Sequence, residues 1–374
     1  MSFKDTVVKI GGSLLRDTAT YIDVALNIKR VFIENGYRPF IVVSAAKGIT
    51  DELINVAKGN KKSLDIVIDR YLDIAKGFSS DKLLRRILQE LENLKRIAET
   101  LNYIDLSLLD LILSFGERIS KILMVEALEN IGVKSVELNA KDIIITNNVY
   151  GDATIDYEQT LSNLEKVFLS LRNSMVVPVI EGFIGATPDG MITTLGRGGS
   201  DYTATAIASL LGFEDVYLVT DVDGIMTTDP DIIPSARIVR YMSYREALEA
   251  SMYGAKRINP KAFEPLERFY SSKVLIGSWK MFGTEVVKEL SSSLYGPKII
   301  MGKRSSDYSY LAIVGEGVSR TKNIRLVLDV LDSEKIELLG IQAYAYRPSL
   351  VLYVDNNDML KALKSLHKAL FEGD

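Results

Sequence analysis

Short β-rich runs, most of them dominated by apolar residues, at 6–10, 39–45, 134–138, 175–182, 215–220 and 273–277 are bounded by Gly, Asp and Ser and separated by amphipathic segments. Such runs suit strands buried on both faces, and their alternation with helical patterns indicates an α/β layer structure with a mainly parallel sheet. Between residues 61 and 132 the pattern changes. LLRRILQELENLKRIAETL and SLLDLILSFGERISKILMVEALENIG carry a sustained 3.6-residue period and no strand-like run. A helical excursion is therefore expected there, inside an α/β domain read as residues 1–288.

After ELSSSLYGP (289–297) the pattern starts again. YSYLAIVGEG (308–317), a helical pattern at 321–336, IELLGIQAYAY (336–346), SLVLYVD (349–355) and a final helix give strand, helix, strand, strand, helix. That order predicts a ferredoxin-like α+β domain over 298–374. A unit this small has a small core, so it is expected to lean on the larger domain or on a second copy of itself.

Composition then removes whole classes of chemistry. The 374 residues are 47% hydrophobic and 25% charged, with a net charge of -4, which offers no global basic field for nucleic acid. Cysteine is absent, so disulfides, thiolate nucleophiles and Cys-ligated metals are excluded. The start, MSFKDTVVKIGG, has no apolar signal-type core, and no uninterrupted apolar stretch is long enough to span a membrane. A cytoplasmic protein is expected. The single histidine, His367, falls in DMLKALKSLHKALFEG, where Met359, Leu360, Leu363, Leu366 and Leu370 recur at helical spacing; it is expected on the helix surface. Triads built on histidine and multi-histidine metal sites are then unavailable. Lys, Arg, Asp, Glu and backbone dipoles remain, and they suit phosphoryl transfer, where positioning and charge neutralisation carry the work.

Three clusters could supply it. In VVKIGGSLL a buried-type strand delivers Lys9, Gly11, Gly12 and Ser13 at its C-terminal end, where α/β sheets hold ligands; the other reading is a β-turn with a surface lysine. In TTLGRGGSDYTATA three glycines, Arg197 and Asp201 precede a helical run, as either an anion-binding loop or a tight surface turn. In VTDVDGIMTTDP a strand ends in Thr220 and Asp221 before Asp223-Gly224 turns the chain; it could bind a nucleoside or Mg²⁺, or be an Asx turn. Downstream, Lys256 is a second candidate phosphate clamp. Neither established phosphate motif is present: GPKIIMGKR (296–304) has five residues between its glycines and Arg304 where Ser or Thr is needed.

Taken in order and spacing, VVKIGGS, VVSAAKGITDELI, SFGERIS, LGRGGSDYTA, TDVDGIMTTDP and SYREALEASMYGAKRINP resemble the signature segments of aspartokinases within the amino-acid kinase superfamily, over roughly residues 5–285. The C-terminal unit resembles the ACT regulatory domain of those enzymes. The resemblance implies a three-layer α/β/α kinase fold followed by one ACT-like domain, and an ATP-dependent, Mg²⁺-assisted phosphorylation of the β-carboxylate of L-aspartate. It implies that Lys9 and Lys256 neutralise the ATP phosphates, that Gly11, Gly12 and Ser13 cradle them, and that Thr220, Asp221, Asp223, Gly224 and Met226 line the nucleotide site. Asp201 would organise the active site, with Mg²⁺ held mainly through the ATP phosphates. For the amino acid, Arg197 would pair with a carboxylate and Glu117 would receive the α-ammonium. Ser44, Thr50, Phe183, Gly198, Gly199 and Ser200 would complete the pocket. Homoserine or another small amino acid as acceptor, and a catalytically dead amino-acid sensor, stay open beside the aspartate reading.

The chain also departs from the family pattern. Met226 stands where tyrosine is usual, Asp231 where arginine is usual and Asn259 where histidine is usual. Residues 298–374 leave room for one ACT domain where two in tandem are common. The partners expected are the amino acid, ATP and a second copy of the chain, as a homodimer or dimer of dimers through the ACT-like domain, without nucleic acid or membrane.

Overall fold

A computed structural model describes residues 3–100, 105–172, 174–255 and 259–372. The chain divides into two compact units, Met1–Asp221 with Glu264–Ser272, and Val222–Phe263 with Lys273–Asp374. The cut at Asp221 falls between the two halves of the TDVDG segment.

The first unit contains β1 (Lys4–Ile10), β2 (Tyr37–Val43), β3 (Ser135–Leu138), β4 (Val177–Glu181), β5 (Ile184–Ala186), β6 (Ile192–Thr194) and β7 (Asp215–Val219). Strands β3-β4-β2-β1-β7 lie side by side, and every paired neighbour runs parallel. Phe40, Ile41, Val42 and Val43 are all at most 1% exposed although successive side chains point to opposite faces, so both faces of the sheet are covered. Helices Thr18–Val31, Leu106–Asn130 and Gly199–Leu211 are among those packed with these strands or with one another. Parallel strands need crossovers, and the apolar periodicity between the strands supplies them.

The stretch expected to be helical contains Lys61–Gly77, Asp81–Glu99 and the long helix Leu106–Asn130. Each begins at a residue able to satisfy an orphan backbone N–H: the side chains of Asn60, Ser80 and Asp105 accept from the amides of Ser63, Leu83 and Leu108. No helix among the described residues is long and apolar enough to cross a membrane.

The second unit holds β8 (Tyr241–Ser243), β9 (Lys273–Gly277), β10 (Thr284–Val287), β11 (Ile299–Arg304), β12 (Ser309–Val314), β13 (Leu338–Ala343) and β14 (Ser349–Val354). β11-β12-β14-β13 form an antiparallel sheet with helices Thr321–Ser333 and Met359–His367. Sequence pattern anticipates β12, β13, β14 and both helices but not β11, whose apolar start, Ile299 to Met301, is cut short by Gly302 and two basic residues. β11 takes the place beside β12 that a ferredoxin-like fold gives to its last strand, supplied here from the N-terminal side. Ile300, Leu311, Ile313, Leu350, Leu352 and Leu363 are buried in the core of this sheet together with Ile233 from the segment after Gly224.

The surface position expected for His367 is wrong. The ring is fully buried, with Nε2 2.9 Å from the Thr227 hydroxyl and Nδ1 2.9 Å from Glu372 Oε1. The apolar stripe of its helix gives no hint of this, because the covering residue, Thr227, lies 140 positions away in sequence.

Candidate active site

Four neighbouring parallel strands of the first unit end at the same edge of the sheet, and each hands its next residues to the candidate site: β1 to Gly11-Gly12-Ser13, β2 to Ser44, β4 to Gly182-Phe183 and β7 to Thr220-Asp221. Outside the carboxyl ends of parallel strands the backbone diverges, and that crevice is where such sheets hold ligands.

Lys9, near the end of β1, forms a 2.7 Å ion pair with Asp201, the acidic residue in the first turn of helix Gly199–Leu211. The two side chains are 16% and 17% exposed, so the pair is shielded but reachable. Two residues beyond the end of β1, Gly12 is glycine for a steric reason. A Cβ on Gly12 would stand 2.5 Å from the Ala45 carbonyl oxygen. The Ser13 hydroxyl that follows is buried with no hydrogen-bond partner. Buried polar atoms are rarely left so, and one beside a lysine and bare glycine backbone fits an anionic group.

The LGRGGSD loop owes its glycines to backbone shape. Gly196 and Gly198 have φ of 77° and 68°, a region open chiefly to glycine, and Gly198 is the residue from which the helix starts. Gly199 is small for a different reason, since a Cβ there would come within 2.9 Å of Phe183 Cδ2. The loop thus aims a helix N-terminus and Asp201 toward Lys9 while Ser200 packs against Gly182, where any Cβ would lie 2.6 Å from that of Ser200. Arg197 sits exposed at the tip.

Phe183 carries φ of 68°, a conformation costly for a bulky residue. It is held by three bonds: its amide donates to the Thr203 hydroxyl at 3.2 Å, its carbonyl accepts from the Leu195 amide at 2.9 Å, and the Gly182 amide before it donates to the Val43 carbonyl at 2.9 Å. Strain retained against such constraint marks a site where the side chain's direction matters.

Glu117 lies on the long helix and is only 4% exposed. Burial is the main cause pushing its carboxyl up to about 8, and the negative charge of Glu181 adds to it; a bond from the Ala45 amide and the charge of Lys9 act the other way. Its Oε2 has no hydrogen-bond partner. A buried, half-satisfied carboxyl is poised to take a cationic group, which would supply both the missing bond and the missing charge. Its neighbour Arg118 instead forms a 2.6 Å ion pair with Glu90, the ordinary fate of charges on a helix. Gly116 lets the helix approach the β2 loop, since a Cβ there would be 2.8 Å from that of Ala45. Ser44 and Thr50 are half-buried, on that loop and on helix Ile49–Ala57.

Thr220 donates its hydroxyl to Asp221 at 3.0 Å, still within the first unit. Asp223, Gly224 and Met226 belong to the second. There Asp223 accepts a short bond from the Ser278 hydroxyl, Gly224 has no room for a Cβ beside Thr284 Oγ1, and Met226 bridges to Ile238. Lys256 lies outside the described residues. Among the described residues no group of three His, Asp or Glu comes together to hold a metal.

Sequence reasoning misses three buried charges near this edge. Asp110 accepts from Thr194 N and Gly151 N and from the Thr194 hydroxyl, at 2.7, 2.9 and 2.7 Å, tying down the end of β6 from which the glycine loop departs. Lys121 and Glu181 form a 2.7 Å ion pair with both side chains at most 5% exposed. The available signal is a charge at a core phase of an apolar helix, visible for Asp110 in LLDLILSF and for Lys121 in ISKILMV.

Fold and cluster together define an α/β protein whose sheet edge pairs an anion cradle with a buried carboxyl ready for a cation. A model of the amino acid kinase family matches residues 4–278, and the chain belongs to that family. It is 31% identical over 281 residues to the lysine-sensitive aspartokinase 3 of Escherichia coli (strain K12), covering 73% of this chain and 61% of that protein. To an aspartokinase of Thermus thermophilus it is 31% identical over 311 residues, covering 83% and 65%. To a bifunctional aspartokinase/homoserine dehydrogenase of Buchnera aphidicola it is 28% identical over 282 residues, covering 70% and 34%. The chain therefore spans about a third to two thirds of the length of these relatives. In fold it is similar to the crystal structure of E. coli aspartokinase III in complex with aspartate and ADP, with a TM-score of 0.86 at 23% identity, covering 98% of this chain and 100% of that one.

Proposed function

We propose that this chain is an aspartate kinase, moving the γ-phosphoryl group of ATP onto the β-carboxylate of L-aspartate. The observation that carries the reading is the company Glu117 keeps: a buried carboxyl with an unmade bond, in the same unit as the Lys9–Asp201 pair and the partnerless Ser13 hydroxyl. The relatives named as aspartokinases support it. In this reading Lys9, the Gly11–Ser13 backbone and Ser13 Oγ meet the phosphates, and Asp201 keeps Lys9 oriented. Glu117 takes the α-ammonium, Arg197 an acceptor carboxylate, and Phe183, Ser44, Thr50 and Ser200 shape the remaining wall. A carboxylate oxygen attacks the γ-phosphorus as the bond to the ADP oxygen breaks, giving an acyl phosphate and ADP. Because that carboxylate is already ionised at neutral pH, no general base is needed. Mg²⁺, carried on the nucleotide phosphates, would neutralise charge on them. We place the activity in the cytoplasm, as the step that opens biosynthesis of amino acids derived from aspartate, in a homodimer joined through the C-terminal sheets.

Mg-ATP offered with aspartate, glutamate, homoserine, serine or threonine in turn tests the acceptor, with ADP release followed and hydroxylamine trapping any acyl phosphate. Release with aspartate plus a hydroxamate is expected, and Lys9→Ala should lower kcat by roughly 10²-fold or more. Release with homoserine alone, and no hydroxamate, would overturn the aspartate assignment and leave the anion cradle standing.

A further inference from the structure

The long helix presents two buried titratable residues one turn apart, Glu117 and Lys121, and residues at that spacing share a helix face. Lys121 is the better satisfied. Its ammonium donates to Glu181 Oε1 at 2.7 Å, to Asn139 Oδ1 at 2.8 Å and to the Leu138 carbonyl at 3.3 Å, while Glu181 Oε2 accepts from the Ala140 amide at 2.8 Å. Glu181 is the last residue of β4 and directly precedes Gly182 and the constrained Phe183. An ion pair this dry is expensive to build, and apolar residues of similar volume often do as well for stability alone. The location of this pair gives it a second use. It ties the end of β4, two residues before Phe183, to the long helix, one turn after Glu117, and the proposed function gives both of those residues to the acceptor.

We propose that Lys121 and Glu181 are a positioning pair for the acceptor's ammonium: Lys121 offsets the carboxylate that closes β4, so that Glu117 can receive the incoming cation without a second uncompensated negative charge beside it. The inference rests on the acceptor reading above. Among the described residues, the groups that act on Glu117 come from five elements. Lys9 comes from β1, Glu181 from β4, the Tyr21 hydroxyl from helix Thr18–Val31, the Tyr71 hydroxyl from helix Lys61–Gly77, and the Ala45 amide from the loop after β2. Tyr21 and Tyr71 stay neutral because burial raises both, and they are bonded to Ser120 Oγ and the Gly116 carbonyl. The charges that act on Glu117 are then Lys9, itself paired with Asp201, and Glu181, itself paired with Lys121.

Removing one member at a time should move Glu117 in opposite directions. Glu181→Gln keeps the hydrogen-bonding shape and leaves Lys121 in excess, so Glu117 should ionise at lower pH. Lys121→Met leaves Glu181 in excess, so Glu117 should ionise at higher pH. The measurement is carbon-13 NMR of the full ligand-free chain labelled at glutamate Cδ, with the Glu117 signal assigned by its loss in Glu117→Gln. Midpoints displaced by about half a pH unit or more, to opposite sides of wild type, are expected. Calorimetry at pH 7 should in parallel show aspartate binding weakened by about 10-fold in Lys121→Met and not weakened in Glu181→Gln. Midpoints equal to wild type in folded variants, or displaced to the same side, would overturn the proposal; should Lys121→Met fail to fold, Glu181→Gln alone decides by whether its midpoint falls. If the wild-type chain binds no aspartate, the acceptor reading itself fails, and the carbon-13 midpoints still report whether the pair governs Glu117.

Discussion

Each unit buries a titratable side chain to nearly the same depth, and the two are treated differently. His367, fully buried in the second unit, has both ring nitrogens engaged, one with Thr227 and one with a Glu372 carboxylate that also accepts from the Ser235 hydroxyl. Glu117, 4% exposed in the first unit, keeps one oxygen with no partner and holds its proton up to about pH 8. A buried polar group costs free energy unless its bonds are made. The second unit makes those bonds internally and gains a fixed tertiary link. The first leaves one unmade, and a cationic ligand would complete it. Burial alone therefore says little about function, whereas burial with unmet hydrogen-bonding capacity points to a site.

Glu117→Gln should break this comparison most sharply. The folded-state carboxyl titrates near 8 against an ordinary value of 4.5, so the stability it contributes is full below about pH 4.5 and is lost as pH rises through about 8. A neutral amide of the same shape escapes that loss. The variant is expected to weaken aspartate binding by about 10- to 100-fold, since it loses a charged hydrogen bond, and to melt roughly 2–8 °C higher than wild type at pH 8.5. Calorimetry and a thermal melt read both arms. Weaker binding with a lower melting temperature would mean that Glu117 is structural. Wild-type binding should itself tighten between pH 6.5 and 8.5, because the ammonium must displace the proton.

His367→Ala sharpens the other side with a smaller effect. Both ring bonds disappear and the Thr227 hydroxyl loses its ring partner, so stability should fall by about 1–3 kcal/mol in urea unfolding. Aspartate affinity should stay within about twofold of wild type. As His367 is the sole histidine, its ring signals in proton NMR show directly whether it remains buried in the wild-type chain. A loss of aspartate affinity without loss of stability would erase the distinction between the two groups.

Much of this was legible in sequence, and the boundary of what was legible has a physical cause. Strands buried on both faces, such as β2 and β4, announce themselves as apolar runs, so most of the parallel core and the helical stretch emerge from pattern; β3, Ser-Val-Glu-Leu and only half-buried, carries the weaker signal. Gly196, Gly198 and Gly12 are legible too, because left-handed backbone and close approach admit little else. Glu117 and Arg118 are adjacent charged residues on one helix, yet Arg118 is in a partly exposed ion pair and Glu117 is a buried carboxyl; only the family resemblance separates them. The pairing of Lys121 with Glu181 and of His367 with Thr227 is illegible for a common reason. These two contacts span 60 and 140 residues, and pairing across such distances leaves no local periodicity.

The smallest expected effect on the folded chain concerns unmet capacity at the surface of the second unit. β13 is an edge strand paired with β14 on one side, and Leu339 bulges out between Leu338 and Gly340 with 57% of its surface exposed. Ile341 on the same strand and Tyr344 and Tyr346 just beyond it are exposed as well. An open edge carrying apolar side chains invites pairing, and lysine is the residue that commonly blocks it. If two copies of the chain meet through their C-terminal sheets, this edge is the surface to cover. Leu339→Lys combined with Ile341→Lys should then leave the monomer's stability within about 0.5 kcal/mol, since exposed substitutions rarely do more. Light scattering at micromolar concentration should meanwhile show the mass drop from dimer to monomer. A dimer of unchanged mass in the double variant would move the interface away from β13, and a monomeric wild-type chain would remove the proposed assembly altogether.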